Sequence, residues 1–517
     1  MKLDKIRLLL LAILLLGLFF RLYNLAGDSF WADEGYSLIR TVDMGFFQIV
    51  KTFHHAFFYN IILHYWIDLF GNSEFPTRLL SVIFGCLAIF MIYKVGESLF
   101  NKNVGILSSL ILSVSVFHIN YSQEVRDYSL MVLLTLMSFY FFINLFKKRS
   151  ILISVGYVLS SIFLIYTHGF GVFIIIAQNV YFITVFYISK ETHELDFKKW
   201  LWLQVILLVL SIPWLWILAD KLLSARAGYP LPTPRGYSPR IPSLNDVLQS
   251  FITYSGSLVL FRFFLVLSLF SIISCKKLKE NINLKNITKA ISNYRLKIDR
   301  PNITKAYLLL VWVSVPIIFP FIMSLLVMPV YHTRYTMGAS LAFYLLAAKG
   351  ITNINSKYLK SVIIAIILLL SFVNVYEFST QTDKRPDYQP FREAANYIDI
   401  NAESGDLLLF HQGLKPILYV FDYYSNRADL VKRSFPDLEL PELENTKYVH
   451  EGNIRELDPI LKGYNRVWFV HSSSCDYYGL INKTLSGSYN LLYYKRYSQG
   501  LEISLFEKPF NKKTPSR

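Results

Sequence analysis

The sequence is poor in most of what a soluble enzyme uses for chemistry. Its 517 residues include three cysteines, Cys86, Cys275 and Cys475, too few and too scattered for a disulfide framework or a zinc site. There is no glycine-rich phosphate loop, no Cys/His metal spacing and no Gly-x-Ser-x-Gly elbow, so neither a soluble nucleotide cofactor nor a serine hydrolase is indicated. Charge is scarce as well, with Asp, Glu, Lys and Arg making up 17% of the chain. The formal surplus of +16 does not point to nucleic acid, because Lys and Arg fall mostly in short segments between apolar blocks, where positive-inside bias places them.

What is abundant is apolar: 54% of residues are hydrophobic and 16% aromatic, arranged in long blocks. That composition defines a polytopic membrane protein. Lys2, Lys5 and Arg7 precede apolar residues 8–20 as in a signal peptide. No small-residue cleavage site follows and many more spans do, so the segment reads as an uncleaved first helix. With about 20 apolar residues needed per crossing, spans are expected near 7–25, 78–97, 103–119, 127–146, 151–167, 170–189, 200–219, 251–274, 306–328, 334–349 and 358–377. These make 11 transmembrane helices, an odd number that puts the termini on opposite sides.

Charge sets the orientation. With the N-terminus inside, the inner loops hold Lys94 and Lys102, then Lys147, Lys148 and Arg149, then Lys190, Lys198 and Lys199, then nine Lys/Arg from Lys276 to Lys305, then Lys349, Lys357 and Lys360. The outer loops hold far fewer, so the N-terminus is expected to be cytoplasmic and the C-terminus external. Residues 26–77 form a long first outer loop, in which Phe46 to Phe70 is aromatic and amphipathic enough to lie along the interface. Residues 220–250, rich in Pro and Gly, are expected to form a mobile lid. After residue 378 the composition turns soluble. Phe391–Ala402 and Lys415–Tyr424 read as helices, Asp406–His411 and Arg466–His471 as strands, and Asn490–Phe506 as a strand pair. The expected architecture is a membrane domain over 1–377 and a small external α/β domain over 378–517.

Three outer segments carry chemistry-bearing residues. Asp33 and Glu34 follow the first span among Phe30, Trp31 and Tyr36. They read either as solvated acids capping an interfacial helix or as a partly desolvated carboxylate pair able to serve as a general base. Tyr121 to Tyr128 holds Glu124, Arg126 and Asp127, either an internally paired helix start or an anion site, since ionisable groups at a membrane boundary are costly unless paired or used. Arg334, followed by Tyr335, either snorkels to lipid headgroups or grips a phosphate, which its planar fork suits better than Lys. His54, His55 and His64 lie in one interfacial segment. Adjacent histidines cannot point the same way on a helix, so a metal held by Glu34, His55 or His168 would have to be assembled through the fold, and interfacial packing accounts for these residues equally.

Beyond these separate features, Arg21 to Leu25, Trp31 to Ser37, Tyr59 to Trp66, Phe70 to Glu74, Arg78 to Ser81, Tyr121 to Leu130, Arg334-Tyr335 and Phe391 to Ile398 occur in one order. Together they resemble the bacterial and archaeal members of the protein O-mannosyltransferase and aminoarabinose-transferase superfamily, polytopic GT-C glycosyltransferases. The resemblance implies transfer of a sugar from a polyprenyl-phosphate carrier to a protein, lipid or glycan acceptor at the external face, with inversion. Asp33 is then the base with Glu34 and Glu124 beside it, and Arg126, Arg334 and Tyr335 form the donor-phosphate site. His55, Tyr59, His64 and Tyr128 are then substrate contacts. One departure is Ala56 to Asn60, where relatives carry a Pro-Pro-Leu-Tyr-Tyr-like stretch. It changes the rigidity of the chain before the interfacial helix and bears on acceptor preference. The competing class is a transporter or flippase of lipid-linked sugars, which would place ionisable groups and broken helices near the bilayer midplane.

Overall fold

The structure, a computed structural model, describes residues 2–39, 41–42, 44–52, 57–188, 195–216, 219, 241–272, 300–381, 389–411, 415–435, 454–472 and 479–509. His55, most of the proline-rich 220–250 segment, Cys275 and Cys475 lie outside them. In chain order the helices are α1 (Lys2–Leu22), α2 (Ala32–Ile39), α3 (Phe46–Thr52), α4 (Phe58–Phe70), α5 (Glu74–Leu99), α6 (Lys102–Ser113), α7 (Val116–Ser122) and α8 (Tyr128–Leu145). They continue with α9 (Ile151–Thr167), α10 (Gly171–Ile188), α11 (Phe197–Leu210), α12 (Leu244–Ser255), α13 (Leu258–Ile272), α14 (Arg300–Leu326), α15 (Met337–Asn353) and α16 (Lys357–Thr380).

Most expected spans fall on one of these helices or on a bent pair, but the one near 200–219 runs past the end of α11 at Leu210 and partly outside the described residues, and the one near 334–349 begins before α15. By length and composition, four of the described helices can cross a membrane, α5, α8, α14 and α16, and up to six spans result if each bent pair counts as one. On α1 the exposed Leu8, Leu11, Leu15 and Phe19 recur at helical spacing, a stripe suited to lipid. The α15 helix is the opposite case, buried along nearly its whole length. Its small residues allow close approach: a Cβ at Gly350 would lie 1.9 Å from the Leu267 carbonyl oxygen of α13.

Two expected spans, 103–119 and 251–274, are broken. The α6–α7 pair bends by 64° and the α12–α13 pair by 93°. At the second break Gly256 is left-handed at φ +86°, the conformation that ends a helix most cheaply when the residue lacks a Cβ. At the first, the freed carbonyls need a donor, since an unsatisfied backbone group costs several kcal/mol in an apolar medium. Buried Arg21 supplies it, donating to the Leu112 and Ser113 carbonyls at 3.3 and 3.2 Å, to the Gly17 carbonyl at 3.0 Å and to Ser122 Oγ at 3.2 Å. Periodicity counted these segments as single spans because a one- or two-residue break barely changes an apolar average.

The C-terminal residues form a mixed sheet. Its elements are α17 (Phe391–Asn401), β1 (Leu407–His411), α18 (Lys415–Tyr424), β2 (Val431–Phe435), α19 (Leu457–Leu461), β3 (Arg466–Ser472), α20 (Leu480–Ser488), β4 (Asn490–Arg496) and β5 (Leu501–Glu507). The strand order is β2-β1-β3-β5-β4, with β1 parallel to β2 and β3, and β5 antiparallel to β3 and β4. The expected helices and strands here are all present. The sequence reading missed β2, α19 and α20: the Val-Lys-Arg-Ser-Phe run of β2 is too polar to read as a strand, and it pairs only because β1 offers a neighbouring edge.

Candidate active site

The adjacent acids of α2 have different surroundings. Glu34 is fully buried, and Arg78 of α5 binds it side-on, Nε to Oε1 at 2.8 Å and Nη2 to Oε2 at 2.7 Å. The backbone N–H of Val125 donates to Oε1 at 2.9 Å and that of Trp31 to Oε2 at 3.2 Å. The remaining Arg78 protons go to the carbonyls of Leu25, Asp28 and Ser29. A buried carboxylate is tolerable only when paired and hydrogen-bonded in this way. Arg78, legible in the sequence only as part of a resembling motif, thus ties the start of the first loop to α5.

Asp33, one residue earlier, turns to the other side of α2 and is about one-third exposed. Its Oδ2 lies 3.6 Å from Arg334 Nη1. Arg126, in the turn between α7 and α8, donates through Nη1 to the Asp33 carbonyl at 3.3 Å and to Ser37 Oγ at 3.4 Å. The Tyr128 ring lies beside both guanidinium groups, 5.6 Å from that of Arg126 and 5.9 Å from that of Arg334, a cation–π arrangement that holds two like charges near each other. Tyr335 adds a second ring, 5.4 Å from Arg334. Arg126 Nε, Arg334 Nε, Tyr128 Oη and Trp31 Nε1 are buried with no hydrogen-bond partner among the described residues. Buried donors left without an acceptor are costly, and here two of them belong to guanidinium groups flanking one ring.

The loop bearing Arg334 is tied down from α12 and α14. Ser250 Oγ bonds Tyr331 Oη at 2.8 Å and Thr333 Oγ1 at 2.9 Å. Tyr254 Oη donates to the Thr336 carbonyl at 3.1 Å, and Trp312 Nε1 to the Gly338 carbonyl at 2.9 Å. The Arg334 N–H donates to His332 Nδ1 at 3.3 Å. Burial, and then the charge of Arg334, push His332 down to about 4, with Asp33 opposing. His168 is depressed in the same way, by burial first, with Asp127 opposing and Arg126 and Arg334 adding to the depression.

The other sequence candidates are distributed around this centre. Glu124 is buried and accepts from Asn120 Nδ2 at 2.9 Å. Tyr59 is buried, its hydroxyl 3.3 Å from Ser81 Oγ. His64 meets the Thr41 carbonyl through Nδ1 at 2.9 Å and Asp68 through Nε2 at 3.7 Å. His168 packs on the Tyr335 and Tyr128 rings, and its Nδ1 accepts from the Phe170 N–H at 3.1 Å. Of the metal candidates, Glu34 has both oxygens engaged by Arg78, and among the described residues no group of three or more His, Cys, Asp or Glu is placed to hold an ion.

A multi-helix apolar bundle with one partly exposed carboxylate paired to Arg334, and Arg126 on the backbone beside it, defines a class of membrane proteins with a charged cluster at helix ends. The comparisons make it more particular. Residues 54–228 match the family model described as dolichyl-phosphate-mannose-protein mannosyltransferase. The fold is similar to that of ArnT from Cupriavidus metallidurans bound to undecaprenyl phosphate, with TM-score 0.58 and 13% identity over 96% of this chain and 97% of that one. The apo ArnT structure gives 0.60 and 12% over 98% of each. The archaeal oligosaccharyltransferase AglB from Archaeoglobus fulgidus, in complex with an inhibitory peptide and a dolichol-phosphate, gives 0.56 and 11% over 97% of this chain and 74% of that one. No curated protein matches by sequence. The chain has the GT-C fold and is mannosyltransferase-like over its matched residues.

Proposed function

We propose that the protein transfers a sugar from a polyprenyl-phosphate carrier to a protein, lipid or glycan acceptor at the external face of the membrane, with inversion. The observation that carries this reading is the pairing of Asp33 with Arg334 beside Arg126, two guanidinium groups whose buried Nε donors lack a partner among the described residues. The donor class is supported by the likeness to structures holding undecaprenyl phosphate and dolichol-phosphate. In the reaction, the acceptor oxygen attacks the anomeric carbon as the bond from that carbon to the carrier phosphate breaks. Asp33 takes the acceptor proton, and the electron pair leaves with the lipid phosphate, whose growing charge Arg126 and Arg334 stabilise. No covalent intermediate is needed. Glu34 acts at a distance, holding α2 through Arg78, while Tyr128 and Tyr335 flank the phosphate and Glu124 shapes the turn, its backbone carbonyl accepting the Arg126 N–H.

The same reading assigns 11 crossings, a cytoplasmic N-terminus, a membrane domain over 1–377 and an external domain over 378–517, following the charge pattern of the loops. It favours an enzyme over a flippase because the ionisable groups gather at helix ends, next to the loops. The test is Asp33→Asn assayed for sugar transfer in membranes at matched expression, with mass spectrometry of lipid-linked sugars and surface glycans. Undiminished transfer would refute Asp33 as the base, and loss of many products in a strain lacking the gene, where an enzyme would remove one sugar, would favour the flippase.

A further inference from the structure

We infer that the C-terminal region completes the reaction centre: Gln389 and Tyr424 are positioning residues that cap the N-terminus of α2 and thereby set Asp33. The inference rests on the proposed role of Asp33 as base. A helix leaves its first N–H groups without intrahelical partners, and a Ser, Thr, Asp or Asn normally supplies an oxygen there. The residue preceding α2 is Trp31, which has no side-chain oxygen. The oxygens come from far along the chain instead. Gln389 Oε1 accepts from the Ala32 N–H, the first of α2, at 3.0 Å, and Tyr424 Oη from the Phe30 N–H just before the helix at 2.8 Å, while Trp31 N–H is left to Glu34. Ser29 interlocks the same two segments, its Oγ donating to the Gln389 carbonyl at 2.8 Å and accepting from the Phe391 N–H at 3.2 Å.

The clamp is anchored on the helix that holds Glu34. Tyr424 Oη, while accepting from Phe30, donates to Glu74 Oε1 at 2.8 Å; Tyr423 Oη donates to Oε2 at 3.2 Å, and Arg392 Nη2 to Oε1 at 2.6 Å. Glu74 lies one helical turn before Arg78 on α5, so a single turn receives the C-terminal region at Glu74 and α2 at Arg78. Phe30 fills the space between, 5.3 Å from the Tyr423 ring and 5.3 Å from the Arg78 guanidinium. Asp33 sits one residue after the capped Ala32, so loosening the cap displaces the carboxylate before any other part of the site.

The test uses the full chain with Gln389→Leu and Tyr424→Phe combined, and Gln389→Glu as the form that keeps an accepting oxygen. Amide exchange over residues 29–34 is expected to quicken about tenfold in the double variant, with α5 and α8 unchanged and Gln389→Glu close to the parent. Undecaprenyl phosphate, the binding probe, is expected to bind within about threefold of the parent, since Arg126 and Arg334 are untouched, while transfer loses about tenfold in kcat at constant KM. Unchanged exchange overturns the clamp; quickened exchange with unchanged kcat overturns its effect on Asp33. If the parent protein transfers no sugar from such a carrier, the proposed function fails, and the exchange comparison still decides the clamp.

Discussion

Asp33 and Arg334, from opposite ends of the membrane-embedded sequence, meet as an ion pair with 3.6 Å between Oδ2 and Nη1. The proposed base is thus partnered by the proposed phosphate ligand. The contact is longer than a hydrogen bond and one member is partly exposed, so it is the kind of pair an incoming phosphate can displace. Donor binding would draw Arg334 to the phosphate and leave the carboxylate free to accept a proton. Asp33→Asn is therefore expected to lower transfer by about 10²–10⁴-fold while undecaprenyl phosphate binds as tightly as before or more tightly. Titration calorimetry on the detergent-solubilised variant checks this, and weaker binding would contradict the competition.

Glu34→Gln and Arg78→Met are expected to act on stability. Removing one partner of a buried, fully hydrogen-bonded pair costs about 3–5 kcal/mol, whereas Asp33→Asn, at a partly exposed site, is expected to stay within about 0.5 kcal/mol. Thermal unfolding of the three variants side by side gives the comparison. Equal destabilisation by Asp33→Asn and Glu34→Gln would mean that the two acids share one structural role.

This difference between neighbours marks the limit of what the sequence disclosed. The order of apolar runs located the helices, and the clustering of Asp33, Arg126 and Arg334 at helix ends was legible from the span boundaries. That Glu34 would be buried against Arg78 while Asp33 faced Arg334 was not, because it depends on the rotation of α2, an eight-residue helix whose orientation is set from outside. Gln389 and Tyr424 carry no local signal at all: their role follows from Trp31 being unable to cap, a deficit visible only once the C-terminal region lies against it. The helix breaks at Ser115 and Gly256 were hidden for a different reason, since hydropathy averages over a short break, whether Arg21 satisfies its carbonyls as at the first or a left-handed glycine makes the turn as at the second.

Tyr128 offers a test in which stability and binding move in opposite directions. Its hydroxyl is buried without a partner among the described residues, so Tyr128→Phe removes an unsatisfied group and is expected to stabilise the ligand-free protein by about 1 kcal/mol. If that hydroxyl donates to the carrier phosphate, the same change weakens undecaprenyl phosphate binding by about tenfold. A variant both less stable and unchanged in binding would show that the hydroxyl has a structural partner and does not serve the donor.

Acid is expected to loosen the Arg334 loop through His332. Burial and the Arg334 charge hold this histidine at about 4 in the folded chain, against 6.5 for the free side chain. Between those values the unfolded chain binds the extra proton and the folded chain does not, so stability rises with pH across the window. The contribution is present in full above 6.5, declines as pH falls, and is lost once pH passes through 4. The geometry agrees, because neutral His332 accepts the Arg334 N–H at Nδ1, and a protonated ring would instead present a donor and a second cation beside the guanidinium. The unfolding temperature is therefore expected to drop between pH 7 and pH 5, and His332→Gln, which cannot take up the proton, is expected to drop less. His168, depressed by burial in the same region, accounts for part of what remains. Parallel pH profiles for the parent and His332→Gln would remove His332 from this role.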